Sequence, residues 1–141
     1  MKVTTQVTDR RFSLDTRMLS RLVGNVLRGE SASRKIVNII YCRDKQIERL
    51  NKRFKGNGRS TDVLAFGMQD QFEPDFLGEV YVNLQMARRQ AKHYSAPYLE
   101  EVKRLTVHGV LHLLGYCDDT RLARSRMWKR QEGYLHNGEE G

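Results

Sequence analysis

The chain has 141 residues, 39% of them apolar and 30% charged, which is the size and composition of one globular domain with its own core and excludes a disordered or collagen-like chain. No apolar run nears the ~20 residues that span a bilayer, the opening MKVTTQVTDRRF lacks a secretory h-region, and two cysteines, Cys42 and Cys117, make no disulfide framework; the expectation is a cytoplasmic protein with reduced thiols and no membrane contact. Lys and Arg total 25 against 17 Asp and Glu, a net charge of +8, which in so small a domain points to a polyanionic partner, nucleic acid before others.

Residues 2–8, KVTTQVT, are β-branched and predict a first strand. Phe12 and Ser13 open a helix in which Leu19, Leu22, Val23, Val26 and Leu27 fall at helical spacing, with Gly29 as its stop. The apolar run KIVNIIYC, 35–42, reads as a strand buried on both faces. Asp44 is the expected N-cap of the next helix, with Ile47, Leu50 and Phe54 on its inner face and Gly56 at its end. The basic, glycine-rich loop KGNGR then leads into a short strand TDVLAF, 61–66, and a polar loop connects it to a strand LGEVYVN, 77–83, as a candidate neighbour. A helix over 84–94 follows, with Leu84, Ala87, Ala91 and Tyr94 on one side. Pro97 suits the first turn of another, running to Gly115, and 120–135 is helical by propensity, with a tail, 136–141, expected to fray. The order β-α-β-α-β-β-α-α-α predicts an α+β (α/β-like) fold: one domain, 1–141, with a four-stranded mixed sheet packed by about five helices.

The chemistry concentrates in RLTVHGVLHLLGYCDDT, 104–120. His108 and His112 are four apart on a helix that is otherwise apolar nearly all round, so their imidazoles share one face of a buried element. Each could be a core histidine bonded to a carbonyl, but a shared metal would satisfy both rings at once. Gly115 can reverse the chain and bring residues 116–119 back toward them. Asp118, ten residues after His108, has the spacing of a third zinc ligand after such a turn, and two imidazoles with one carboxylate leave a coordination position open. In the H-E-x-x-H pattern of zinc proteases a glutamate follows the first histidine; Gly109 stands there, which counts against peptide hydrolysis.

HGVLHLLGYCDD, together with LNKRFKGNGRSTDVLAF and LGEVYVN, resembles the YbeY-type endoribonucleases, the bacterial rRNA maturation factors, whose pattern reads HGxLHLxGYDH after LNxxYRxxxxPTDVLSF and LGD; the likeness spans roughly residues 36–120. The resemblance implies a single-strand-specific, metal-dependent endoribonuclease that processes rRNA near the small-subunit 3′ end and takes part in ribosome quality control. It implies one Zn²⁺ per chain, with rRNA and the ribosome or its subunit as partners and no nucleotide cofactor. His108 and His112 match the first two metal histidines, and the third falls on Asp118, a change that also suits Fe²⁺ or Ni²⁺. Cys117 stands where the family has Asp, and its thiolate is a competing ligand, although the register favours Asp118. The arginine tied to RNA cleavage corresponds to Lys55, after Phe54; its role falls to Lys55 or passes to Arg59, the two catalytic candidates. Ser60 replaces the usual proline. Asp119 and Glu79 are candidate general bases by chemistry alone.

Basic residues favour RNA. Arg88, Arg89 and Lys92 share one helix, and Arg121, Arg124, Arg126, Lys129 and Arg130 share the last; Lys55, Arg59, Arg88, Arg89, Arg121 and Arg124 are the expected RNA contacts, against the plainer reading of solvated faces. Tyr116 and Trp128 have ring faces that can stack on bases, but both are read as core packing. The alternative function is a non-catalytic, metal-stabilised, rRNA-binding ribosome-assembly factor; a divergent metalloprotease is disfavoured by Gly109 and the basic surface.

Overall fold

The computed structural model describes residues 2–9, 11–56, 58, 60–68 and 73–137. Among the described residues the chain runs β1 (Lys2–Val7), α1 (Thr16–Gly29), β2 (Ile36–Cys42), α2 (Asp44–Lys55), β3 (Val63–Gly67), β4 (Phe76–Asn83), α3 (Leu84–His93), α4 (Tyr98–Leu113) and α5 (Arg121–Asn137), the order expected from the sequence. The strands form one sheet in the order β1-β2-β4-β3. β1, β2 and β4 run parallel and β3 pairs antiparallel with β4, so the sheet is mixed. No helix among the described residues is long and apolar enough to cross a membrane.

Side chains alternate across a strand, and β2 and β4 use both faces. Val37, Ile39, Tyr41, Val80 and Val82 enter the main core with α1 and α4, while Ile40, Cys42, Ile47 and Leu64 form a smaller cluster beneath α2. The buried Tyr41 hydroxyl meets Thr106 Oγ1 at 2.9 Å and ties β2 to α4. Gly109 lets α4 come close to the sheet: a Cβ there would lie 2.4 Å from Val80 Cγ1. That contact also closes the position that would carry a zinc protease's glutamate.

Several local expectations are corrected by tertiary contacts. α1 begins after Asp15, whose side chain accepts from the Met18 N–H at 3.1 Å, and not at Phe12. It does stop at Gly29, as expected, with Glu30 as its C-cap and Ser31 beyond it in the left-handed region with φ of 58°. Gly29 also makes room for Tyr134, whose hydroxyl would lie 2.3 Å from a Cβ there. Asp44 is not the N-cap of α2; Arg43 is, and the Asp44 N–H donates to Gln85 Oε1 at 2.9 Å, leaving the Asp44 carboxylate free for other partners. Gly56 does end α2, in the left-handed region. Phe54 and Tyr94 are not buried as expected: Phe54 touches Phe66 at a centroid distance of 5.2 Å yet is 58% exposed, and Tyr94, the C-cap of α3, is 69% exposed. α5 continues through Asn137, and residues 138–141 of the expected frayed tail lie outside the described residues.

Candidate metal centre

α4 carries His108 and His112 one above the other, their ring centroids 4.6 Å apart and their planes at 80°. The helix ends in a Schellman motif: Tyr116 N–H donates to Leu111 O at 3.0 Å and Gly115 N–H to His112 O at 3.1 Å. Gly115 has φ of 103°, which a side chain would strain. This turn brings Asp118 back to the histidines, with Asp118 Oδ2 3.5 Å from His112 Nε2. One ligand atom from each of His108, His112 and Asp118 lies within 4.8 Å of the others.

The hydrogen bonds on the far side of each ring decide what the near side can do. His112 Nδ1 donates to the Tyr116 carbonyl at 3.1 Å, and His108 Nδ1 donates to Gln131 Oε1 at 2.9 Å. With Nδ1 protonated, each neutral ring keeps its lone pair on Nε2. The two Nε2 atoms then face each other at 3.1 Å with a carboxylate oxygen alongside. Acceptors aimed at one point repel unless a cation lies between them. A tetrahedral ion with bonds of about 2.0–2.1 Å holds neighbouring ligands about 3.3 Å apart, so the donor set fits a zinc-sized ion. Asp118 is exposed, leaving one side of the centre open.

A shell of neighbours fixes these ligands. Arg124 Nη1 donates to the Asp118 carbonyl at 3.2 Å. The Tyr116 hydroxyl donates to Glu30 Oε1 at 2.6 Å, and Glu30 also accepts from Tyr134 and from Arg130 Nε at 2.9 Å. Burial disfavours the ionised Glu30, but the two phenols and the guanidinium outweigh it and hold its carboxyl below the ordinary glutamate value. The end of α1 thereby anchors the turn that carries the third ligand. Tyr116 is half-buried against the main core, as expected.

The other candidates are distributed differently. Cys117 is exposed and its thiol is raised by a hydrogen bond to Asp119; it is not in the ligand group found among the described residues, and it occupies Asp119. Glu79 is no general base for this centre: Val80 faces α4, so Glu79 lies on the opposite sheet face, 3.3 Å from the Tyr81 hydroxyl that donates to it. Arg124 is at the centre and Arg121 is exposed at the start of α5. Arg88 and Arg89 lie elsewhere, lining a smaller cavity of about 350 Å³ with Arg11, Phe12 and Arg43. Arg89 is held by Asp44 in a bidentate pair at 2.7 and 3.0 Å, and Arg88 stands over the rings of Phe12 and Tyr98. The side chain of Lys55 and the whole of Arg59 lie outside the described residues.

Against the candidate ligands lies a cavity of about 690 Å³, walled by α3, α4 and α5. His108 and Asp118 line it, as do Asp62, Arg104, Trp128 and Gln131. The expectation that Trp128 packs in the core is overturned, since it is 55% exposed. Gln131 was missed, yet it left a signal: Met127, Gln131 and Leu135 recur every four residues and are all buried, and a glutamine in an apolar stripe needs a partner.

Fold and site define a class, a small mixed-sheet domain with an open centre of two histidines and a carboxylate at the end of a buried helix. The profile of the family described as Endoribonuclease YbeY matches residues 4–139. A protein of that name from Chlorobaculum tepidum is 32% identical over 124 residues, 88% of this chain and 89% of its own length. Another, from Endomicrobium trichonymphae, is 34% identical over 115 residues, 82% of this chain and 79% of its own. The solution structure of TM1509 from Thermotoga maritima has the same fold, with a TM-score of 0.68 at 23% identity, covering 94% of this chain and 86% of that one. The chain belongs to the YbeY family of endoribonucleases.

Proposed function

We propose that this protein is a metal-dependent endoribonuclease of the cytoplasm, a single domain that cleaves single-stranded RNA during rRNA maturation, near the small-subunit 3′ end, and acts in ribosome quality control. One observation carries the metal dependence: two Nε2 lone pairs and a carboxylate oxygen converge on one point while both Nδ1 atoms are committed elsewhere. His108, His112 and Asp118 would hold one ion per chain; zinc fits, and Fe²⁺ or Ni²⁺ suits the same ligands. A bound divalent ion supplies Lewis acidity at a phosphoryl oxygen. Gln131 and the Tyr116 carbonyl keep both rings in the ligating tautomer, and Arg124 steadies the turn bearing Asp118. Lys55 and Arg59 are assigned the neutralisation of charge on the phosphate, and Arg121 and Arg124 contacts to the strand, with Arg88 and Arg89 as separate RNA contacts at the smaller cavity on α3. Partners are rRNA and the ribosome or its subunit.

The test compares cleavage of a labelled single-stranded RNA by wild type and His112→Ala, each with and without a chelator. Cleavage is expected only from untreated wild type; His112→Ala should also lose its metal, and full metal retention would remove the site. Lys55→Ala should keep the metal and lose cleavage, and unchanged cleavage takes Lys55 out of the mechanism. The lysine in place of the family's arginine favours one second reading, a non-catalytic ribosome-assembly factor. Metal and RNA both bound with no cleavage would establish it.

A further inference from the structure

We propose that the cavity beside the metal centre is a nucleobase subsite, in which one base of single-stranded RNA stacks on the indole of Trp128; this rests on the ribonuclease reading above. Trp128 leaves more than half of its surface exposed although Met127, next to it, is buried in the core. Exposing so large an apolar side chain forfeits stabilisation that burial would supply. The ring lies on the wall of the same cavity that His108 and Asp118 line, so a ligand at the metal is its neighbour.

The indole also has a fixed cationic neighbour. The Arg104 guanidinium stands 5.8 Å from the ring centroid. Arg104 is itself fixed by three carboxylates, Glu100 at 3.0 Å, Glu101 at 3.1 Å and Glu132 at 2.9 Å. A guanidinium tied to three carboxylates and set against the indole favours one orientation of the ring, which suits it to stacking. Tyr94, at the end of α3, brings a second exposed ring to the same cavity.

Charge selects what part of the RNA enters. The lining holds four carboxylates, Asp62, Glu101, Asp118 and Glu132, against the two guanidinium groups of Arg104 and Arg124. Arg104 is already paired with Glu100, Glu101 and Glu132, so its charge is not free for phosphate, and Leu105, Met127 and the indole give this part of the wall an apolar face that suits a flat, partly polar group. A base in a duplex has both faces stacked and its edge paired, so only an unpaired base reaches the indole, and the subsite imposes single-strand selectivity.

Trp128 is the only tryptophan in the chain, so selectively excited indole emission reports on this site alone. The experiment titrates wild type with a short 2′-O-methylated single-stranded oligonucleotide, which resists cleavage, and in parallel with its duplex and with an abasic strand of equal length. Binding is followed separately by anisotropy of a labelled strand. The single strand should quench the emission at least about twofold, and the duplex and abasic strands should not. Trp128→Ala should weaken single-strand binding about 5- to 100-fold, and Trp128→Phe, which keeps a ring and the fold, should lose much less. Binding with unchanged emission, equal quenching by the abasic strand or duplex, wild-type affinity in Trp128→Ala, or no binding of any strand would each overturn the subsite. Quenching without cleavage of ordinary RNA would keep the subsite and remove only the catalytic reading.

Discussion

Gln131 reaches the candidate metal centre from a different helix. Its Oε1 accepts from His108 Nδ1 and so leaves the lone pair on Nε2, where a metal needs it. Gln131→Leu keeps the volume of this buried position and removes the acceptor. Metal affinity, read by competition with a chromophoric chelator, should fall about 10- to 100-fold, while Gln131→Glu should retain most of it. Equal affinity in Gln131→Leu would mean that the His108 ring is oriented by packing alone. At this scale the sequence was legible where the constraint is local. His108, His112 and Asp118 are placed by helical period and a turn within eleven residues, whereas Gln131 reaches His108 across 23 residues of chain.

Among the elements, α4 decides most. It packs on the sheet through Gly109 and on α5 beside the cavity, so its depth sets where both histidines sit. Gly109→Ala puts a methyl group 2.4 Å from Val80 Cγ1, and either the valine or the helix must shift. Overpacking of this kind costs about 1–3 kcal/mol, which a urea midpoint would register as a loss of stability at unchanged slope. A neutral or stabilising effect would show that the helix has slack against β4. Period and composition revealed α4 itself, but one glycine in an apolar helix reads the same whether it meets a sheet or solvent. Phe54 and Tyr94 failed for the related reason that helical spacing names a face without saying what covers it.

For the whole molecule, Asp44 is a node between distant segments. Its carboxylate accepts from Ser60 Oγ at 2.8 Å, from the buried Asn83 Nδ2 at 2.7 Å and from Arg89, joining α2, the segment before β3, β4 and α3. The Arg89 hydrogen bond is the largest influence on it; burial opposes, Asn83 and Ser60 assist, and the carboxyl is held at about 2. A folded value below the ordinary one stabilises the protein above that ordinary value and stops doing so as pH falls toward the folded one. Asp44→Asn should therefore cost about 1–2 kcal/mol at neutral pH, a gap in urea midpoints that closes between about pH 4 and about pH 2. A gap that stays constant with pH would mean that the carboxylate's charge contributes nothing to stability.

The order of elements, the mixed sheet, the pair of histidines on one buried helix and the turn that returns Asp118 follow from the sequence by itself, because strand alternation, helical period and a glycine's left-handed turn act between residues close in the chain. The tertiary structure alone decided the rest. Gln131 and Glu30 as supports, Glu79 on the far face, the cavity, and Trp128 at its open wall all depend on how α1, α3, α4 and α5 pack together. Such contacts come from the fit of faces between elements far apart in sequence, where no periodicity links one partner to the other.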